Sequence, residues 1–435
     1  MNLELFIVRK IAFSSSKSFS SFIIRIAVAA VALSLSTMII ATSLVNGFQK
    51  EIRNKVLGFW SHMEIVPYSL TNSLQEQSVY KYQDFYTNNK LIPEARHIQV
   101  TALKAGLLKT DSDFEGIVLK GVGDDFDWGN FTPYLKSGAK IQVGTEQAKR
   151  DIIISKTTAD RLQLKVGDKL VVAFMGRSIR NRPFRVKGIY ETGLDDFDKK
   201  YAMVDIGVIQ DLNNWGKDSV GGFEVFLKDH NLFKSRGRAY FLTLFGGLLS
   251  KEKVEALRAD PIEEIGETVN GRINNPKLDV QTVKSFYPGI FDWLDLQTMN
   301  ELIILSLMII VAAINMITAL LILILERTNM IGIMKALGAG NFSIRRIFLY
   351  YSAVIIGIGL LAGNVFGIGL CLIQKYFHVI KLQQDSYYLS YAPVEMNWNW
   401  IIALNVATIL ITIILLILPS VLVSRISPVK AIRFE

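Results

Sequence analysis

The sequence predicts a membrane protein: four transmembrane α-helices, with a large α+β domain inserted between the first and the second. Three observations carry that prediction. The 435 residues have a mean hydropathy of +0.31 although 20% of them are charged, which fits a mixture of water-solvated and lipid-solvated chain better than one soluble globule. Four uncharged runs, at residues 26–45, 302–325, 347–374 and 398–422, reach the ~20 apolar residues that a bilayer crossing needs. Between the first and second runs lies enough chain for one large or two modest domains.

The N-terminal segment, residues 1–21, is amphipathic, and Arg9, Lys10, Lys17 and Arg25 precede the first apolar run. That run exceeds the ~7–15 residues of a signal-peptide core and no small-x-small site follows it, so residues 22–45 read as an uncleaved anchor. Chain exposed to lipid must satisfy its own backbone, so each run is expected to be helical. An amphipathic stretch at 47–59 follows. Further on, β-branched or aromatic runs bounded by Gly, Asp and Pro predict strands at 62–66, 98–108, 116–121, 151–155, 170–174, 184–190, 201–204 and 223–227. Helices are expected at 155–162, 251–259 and 262–273, the last opened by Pro261. The run at 239–249 is apolar but half the length of a span, which suits buried core or an interface element.

The remaining boundaries follow the charges. The domain ends near 297; spans occupy 298–326, 346–375 and 397–423. A loop at 327–345 carries Arg327, Lys335, Arg345 and Arg346, a loop at 376–396 separates the last two spans, and a tail at 424–435 carries Arg425, Lys430 and Arg433. Only Lys375 and Lys381 mark the other side of the third and fourth spans. Lys/Arg excess in short loops marks the cytoplasmic face, so both termini are expected there and the inserted domain outside. Residues 46–301 hold 35 Lys/Arg against 34 Asp/Glu, so the net charge of +9 comes almost entirely from the cytoplasmic flanks. Topology explains the basic balance, and no nucleic-acid partner is expected.

Few residues suggest chemistry. One cysteine, Cys371, rules out an internal disulfide framework, and His62, His97, His230 and His378 lack ligand spacing. The clusters Asp124, Asp125, Asp127 and Asp195, Asp196, Asp198 lack the Gly and terminal Glu of an EF-hand loop and read as solvated turns. There is no phosphate loop, nucleophile elbow or HExxH pair. No catalytic residue, metal or bound cofactor is expected.

The informative stretch lies between the second and third spans. Met330, Met334 and Leu337 recur at helical spacing with Ile333 beside them, and Gly338 is placed to stop the helix. Such a short amphipathic helix either rests on lipid headgroups or docks into a partner's groove, and periodicity alone favours neither. Within the spans, Asn315 and Asn364 are expected to hydrogen-bond between helices, and Gly359, Gly363 and Gly367 to allow close helix packing. Phe48, Phe291 and Trp293 fall where aromatic residues gather at membrane interfaces.

The run ERTNMIGIMKALGA at 326–339 resembles the coupling-helix signature of ABC permeases of the FtsX/MacB-like superfamily, and the ending ISPVKAIRFE at 426–435 resembles that superfamily's closing motif. The chain is more specifically similar to the Lol-type lipoprotein-release permeases. FIVR at 6–9, VNGFQKE at 45–51, LKGVG at 119–123, IISK at 153–156 and LKVGD at 164–168 carry that similarity. So do FRVKGIYETG at 184–193, YYLS at 387–390 and PVE at 393–395. The similarity covers nearly the whole chain; each motif is weak singly, and their order together with the four spans makes the match.

The resemblance implies a bacterial inner-membrane permease with a MacB-like periplasmic core domain at 46–297. It implies coupling through Arg327, Met330, Ile333, Met334, Lys335, Leu337 and Gly338 to a separate ATPase that uses ATP and Mg. A second permease subunit, identical or related, would complete a path for an acylated lipoprotein, bordered by Val45, Asn46, Gly47, Phe48, Phe291 and Trp293. A periplasmic carrier would receive the cargo.

Two features depart from the family pattern. The loop at 174–183 is shorter than the hairpin that recruits the carrier in one type of Lol subunit. Its Arg177, Arg180 and Arg182 offer an acidic partner a contact, although a solvated loop is the simpler reading. Residues 230–261 look like an insertion with no assigned role. A MacB-like efflux permease or an FtsX-like transmitter would share the coupling helix without the full set of Lol-type motifs.

Overall fold

The computed structural model describes residues 19–69, 77–88, 90–109, 114–175, 179–228, 260–383 and 387–421. The longer helices, in chain order, are α1 (Phe19–Phe59), α2 (Ile206–Asn213), α3 (Pro261–Ile273), α4 (Pro288–Glu326), α5 (Thr328–Ala336), α6 (Asn341–Phe377) and α7 (Trp398–Ser420). The strands are β1 (Met63–Pro67), β2 (Val79–Tyr80), β3 (Ala95–Lys109), β4 (Phe114–Val122), β5 (Leu135–Gly138), β6 (Asp151–Ser155), β7 (Lys169–Phe174), β8 (Arg180–Tyr190), β9 (Tyr201–Asp205), β10 (Ser219–Val220), β11 (Gly222–Leu227) and β12 (Leu278–Thr282). Two compact units result: a helical one of residues 1–50, 297–381 and 391–435, and a sheet-bearing one of residues 51–296 and 382–390.

Four helices, α1, α4, α6 and α7, are long and apolar enough to cross a membrane, matching the four apolar runs. Two are longer than those runs. α1 does not stop near Val45: the amphipathic stretch continues it to Phe59, with Ile52, Val56 and Phe59 buried on one face. Helical spacing is kept through Gly47, and no proline interrupts. α4 opens at Pro288, a residue suited to the first helical turn because its missing N–H has no partner to lose there.

Inside the helical unit the small residues of α6 meet α1. A Cβ on Gly359 would lie 2.8 Å from the Val31 side chain, one on Gly363 2.8 Å from the Ala32 carbonyl, and one on Gly367 3.1 Å from Ser36 Cα. Ser36 Oγ donates to the Gly363 carbonyl at 3.0 Å, a bond available only because the two backbones run so close. Asn364 and Asn405 exchange amide hydrogen bonds at 2.8 and 3.1 Å between α6 and α7. Asn315, half-buried on α4, makes no hydrogen bond among the described residues, unlike the pairing expected for it.

In the sheet-bearing unit every predicted strand is present. The pairings β3–β4, β4–β9, β9–β6, β6–β8, β8–β7 and β7–β3 close a six-stranded ring. Its core includes Leu119, Ile154, Val172, Phe184 and Val204. On the other side of β3 the order β3–β11–β1–β12 forms a second lobe. Met63, Val225 and Val269 fill its core, and α3 packs on β12. β3 is 15 residues long and serves both lobes: Val100 belongs to one core, Leu108 to the other. Pro261 opens α3 as expected, with Asp260 capping the Ile262 amide. β12 was not foreseen, although LDVQT alternates apolar and polar residues. The expected helix at 251–259 and the apolar run at 239–249 lie outside the described residues.

Candidate functional site

Between α4 and α6 the chain makes a sharp reversal built on α5. Thr328 Oγ1 donates back to the Leu325 carbonyl at 2.7 Å, closing the end of α4. At the other end Gly338 takes φ +91°, Gly338 N–H donates to the Lys335 carbonyl at 3.0 Å and Ala339 N–H to the Met334 carbonyl at 2.9 Å. That pair of bonds is the Schellman pattern, which needs a left-handed residue just past the helix. α5 buries Ile331 and Gly332. The opposite face presents Ile333 and Leu337, 54% and 83% exposed, with Met330, Met334 and Lys335 half-buried at its margins. Nearby, Phe342 is exposed and the Arg346 guanidinium lies 4.3 Å from its ring. The result is a short rigid helix with an apolar tip and cationic residues around it.

At the far end of the helical unit, α1 is crossed by the segment leading into α7. Glu395 N–H donates to the Ser43 carbonyl at 3.0 Å, and Lys50 Nζ pairs with Glu395 at 2.6 Å. Gly47 lies under this crossing: a Cβ there would sit 2.4 Å from the Pro393 carbonyl oxygen. Gln49 Nε2 donates to Thr298 Oγ1 of α4 at 2.5 Å. Val45, Asn46 and Phe48 are half-buried beside Gly47.

In the sheet-bearing unit the end of α1 is gripped by a buried lysine. Lys120, only 1% exposed, donates to the Phe59 carbonyl at 2.5 Å and pairs with Glu224 at 2.6 Å. Helix C-termini carry unsatisfied carbonyls and a partial negative charge, so a cation suits that position. Gln99 Nε2 donates to the other Glu224 oxygen at 2.7 Å. The ring of Trp60 lies 4.2 Å from Lys120 Nζ and that of Phe59 5.0 Å away, and Phe59 stacks with Tyr190 and Phe197. Glu64 stands directly across from Glu224 in the β1–β11 pairing. Burial pushes the Glu64 carboxyl up to about 8; the Glu224 charge adds to the rise and Lys120 opposes it.

Phe291 is buried with Lys284 Nζ 5.8 Å from its ring, and Trp293 meets Tyr388 edge-on at 6.3 Å. Arg182 lines a cleft of about 1010 Å³ together with Lys149, Arg150, Lys169 and Arg185, facing Asp211 and Glu146. Arg182 pairs with Asp211 at 3.7 Å, Arg180 donates to the Leu212 carbonyl at 3.3 Å, and Arg177 lies outside the described residues.

A family model described as the MacB-like periplasmic core domain matches residues 26–235, and one described as the FtsX-like permease C-terminal matches residues 302–428. The chain belongs to the FtsX/MacB-like permease family. Its similarity to curated proteins runs end to end. The permease is 23% identical to the lipoprotein-releasing system transmembrane protein LolC of Neisseria meningitidis, covering 100% of both chains. It is 23% identical to that of Xylella fastidiosa, covering 96% of this chain and 95% of the other. LolE of Haemophilus influenzae is 23% identical, with 92% of each chain covered. The permease is a multi-pass membrane protein that is similar over its length to these Lol-type proteins. Among solved structures, the periplasmic region of MacB from Actinobacillus actinomycetemcomitans is 14% identical, covers 52% of this chain and 91% of that one, and superposes with a TM-score of 0.31.

The structure of the permease gathers the α5 residues into one feature and divides the others. Val45, Asn46, Gly47 and Phe48 belong to the helical unit, Phe291 and Trp293 to the sheet-bearing one. The grip on Phe59 was missed from sequence, though it left a signal: Lys120 interrupts the apolar strand IVLKGV at 117–122, and a charge inside such a run needs a buried partner.

Proposed function

We propose that this permease is the membrane subunit of an ABC transporter that extracts lipoproteins from the outer leaflet of the inner membrane and hands them to a periplasmic carrier. The observation that carries the reading is the likeness to lipoprotein-releasing transmembrane proteins across both units of the chain. In this reading both termini and α5 face the cytoplasm. Ile333 and Leu337 dock into a separate ATPase subunit, which holds ATP and Mg; this chain binds neither. Two permease subunits, identical or related, flank the cargo, and drawing their α5 helices together closes the spans. Val45 to Phe48 border the cargo's path, and the cationic cleft at Arg182 offers a contact to acidic residues of the carrier.

The energetics favour a chaperoned route. Each CH₂ withdrawn from hydrocarbon into water costs ~0.8 kcal/mol, so a multiply acylated anchor fully exposed to water would cost tens of kcal/mol by the same rule. Replacing Ile333 and Leu337 with Glu tests the coupling. Stimulated ATPase activity and lipoprotein release are expected to be lost while membrane insertion is kept; release at the unmodified rate would overturn the assignment. Crosslinking an acylated lipoprotein to a photoreactive residue at Val45 separates release from signal transmission.

A further inference from the structure

The turn between Lys375 and Lys381, at the end of α6 remote from α5, has an unusual division of polarity. Several of its backbone groups are bonded inward. His378 takes φ +47° and donates its N–H to the Gln374 carbonyl at 3.0 Å. The buried Gln374 side chain then serves three backbone groups: it accepts from Ile380 N–H at 2.9 Å and donates to the Ala392 and Ile380 carbonyls at 2.9 and 3.3 Å. Ala392 N–H donates to the Ile380 carbonyl at 3.0 Å, and Lys381 bridges to Tyr391. Four of its five side chains are mainly apolar and exposed, Tyr376, Phe377, Val379 and Ile380, Phe377 by 75%; the fifth, His378, lays its ring 4.1 Å from that of Tyr391. Residues 375–384 contain no Asp or Glu, and Lys375 and Lys381 flank the turn.

A loop in water ordinarily shows polar side chains and lets solvent satisfy its backbone. This one does the reverse, which is the requirement for chain in contact with lipid. We propose that residues 376–380 form a wedge inserted into the leaflet opposite α5, with Val379 and Ile380 below the headgroups and Lys375 and Lys381 reaching back to lipid phosphates. The occupant is lipid because the two adjoining spans themselves expose apolar side chains, Leu370 and Ile373 on α6 and Ile402 on α7. Trp398, exposed at the first turn of α7, supplies the aromatic residue that settles at headgroup level. The inference rests on α6 and α7 being spans and is independent of what cargo the permease carries.

The test uses the full chain in lipid nanodiscs. Cys371 is replaced by Ala, and a nitroxide is attached in turn to Val379→Cys and Ile380→Cys, with Leu370→Cys and Tyr82→Cys as lipid-facing and water-facing references. Collision with oxygen is expected to exceed collision with a water-soluble nickel chelate, in a ratio close to that at 370 and far above that at 82. A ratio like that at 82 overturns the wedge, and exclusion of both reagents shows a protein surface there and overturns it equally. Should the cysteine variants fail to assemble, brominated-lipid quenching that is lost in Trp398→Phe supports the insertion. Quenching unchanged by that substitution counts against it.

Discussion

Lys120 Nζ lies where solvent is absent, and its tolerance there depends on Glu224 and the Phe59 carbonyl. Lys120→Met should leave Glu224 buried without its counter-charge. Breaking a buried pair in this way costs roughly 3–5 kcal/mol, visible as a lowered unfolding temperature of the detergent-solubilised protein. Pairing it with Glu224→Gln should recover part of the loss. Glu64 adds a pH dependence of definite sign. Its folded pKa of about 8 lies above the model-peptide value of 4.5, so its contribution is complete below pH 4.5 and is lost as pH rises through 8. Glu64→Gln should therefore flatten the fall in stability over that window, and a denaturation series from pH 5 to pH 9 would show whether it does. These partners were not legible in the sequence, since Lys120, Gln99, Glu64 and Glu224 lie on four different strands whose pairing no local pattern specifies.

α5 was legible as a helix because Met330, Met334 and Leu337 keep helical spacing and Gly338 ends it. Which of its apolar residues points outward was not: Ile331, outside the expected stripe, is the buried anchor, whereas Ile333 and Leu337 stand clear. The face turned inward depends on the reversal at Thr328, which is tertiary information. Gly338→Ala should place a Cβ in the left-handed region at about 1–2 kcal/mol and misalign the tip. ATPase stimulation should fall more than subunit expression, as a reconstituted ATPase assay would register. The Asn364–Asn405 pair is another contact between elements. A double-mutant cycle to Leu is expected to return a coupling near 0.6 kcal/mol, the usual size for hydrogen bonds inside a bilayer, measured as the unfolding free energy in mixed micelles.

On the scale of the whole chain, hydropathy was enough to place the four spans, because lipid demands a long apolar run whatever packs against it. It could not show that α1 continues to Phe59 or that α4 begins at Pro288, since those extensions are amphipathic and look like parts of the inserted domain. Sidedness is open to direct measurement. In intact spheroplasts an impermeant maleimide should label Tyr82→Cys but not Leu337→Cys, each in the Cys371→Ala background, and the reverse pattern would overturn the proposed coupling. The ring and the second lobe share β3, which lends its first half to one core and its second half to the other. A single strand common to both cannot be divided between two fragments without leaving one of them short of a wall. Limited proteolysis or gene dissection should accordingly never yield half of this domain as a stable product, and its amide protons should open to exchange together.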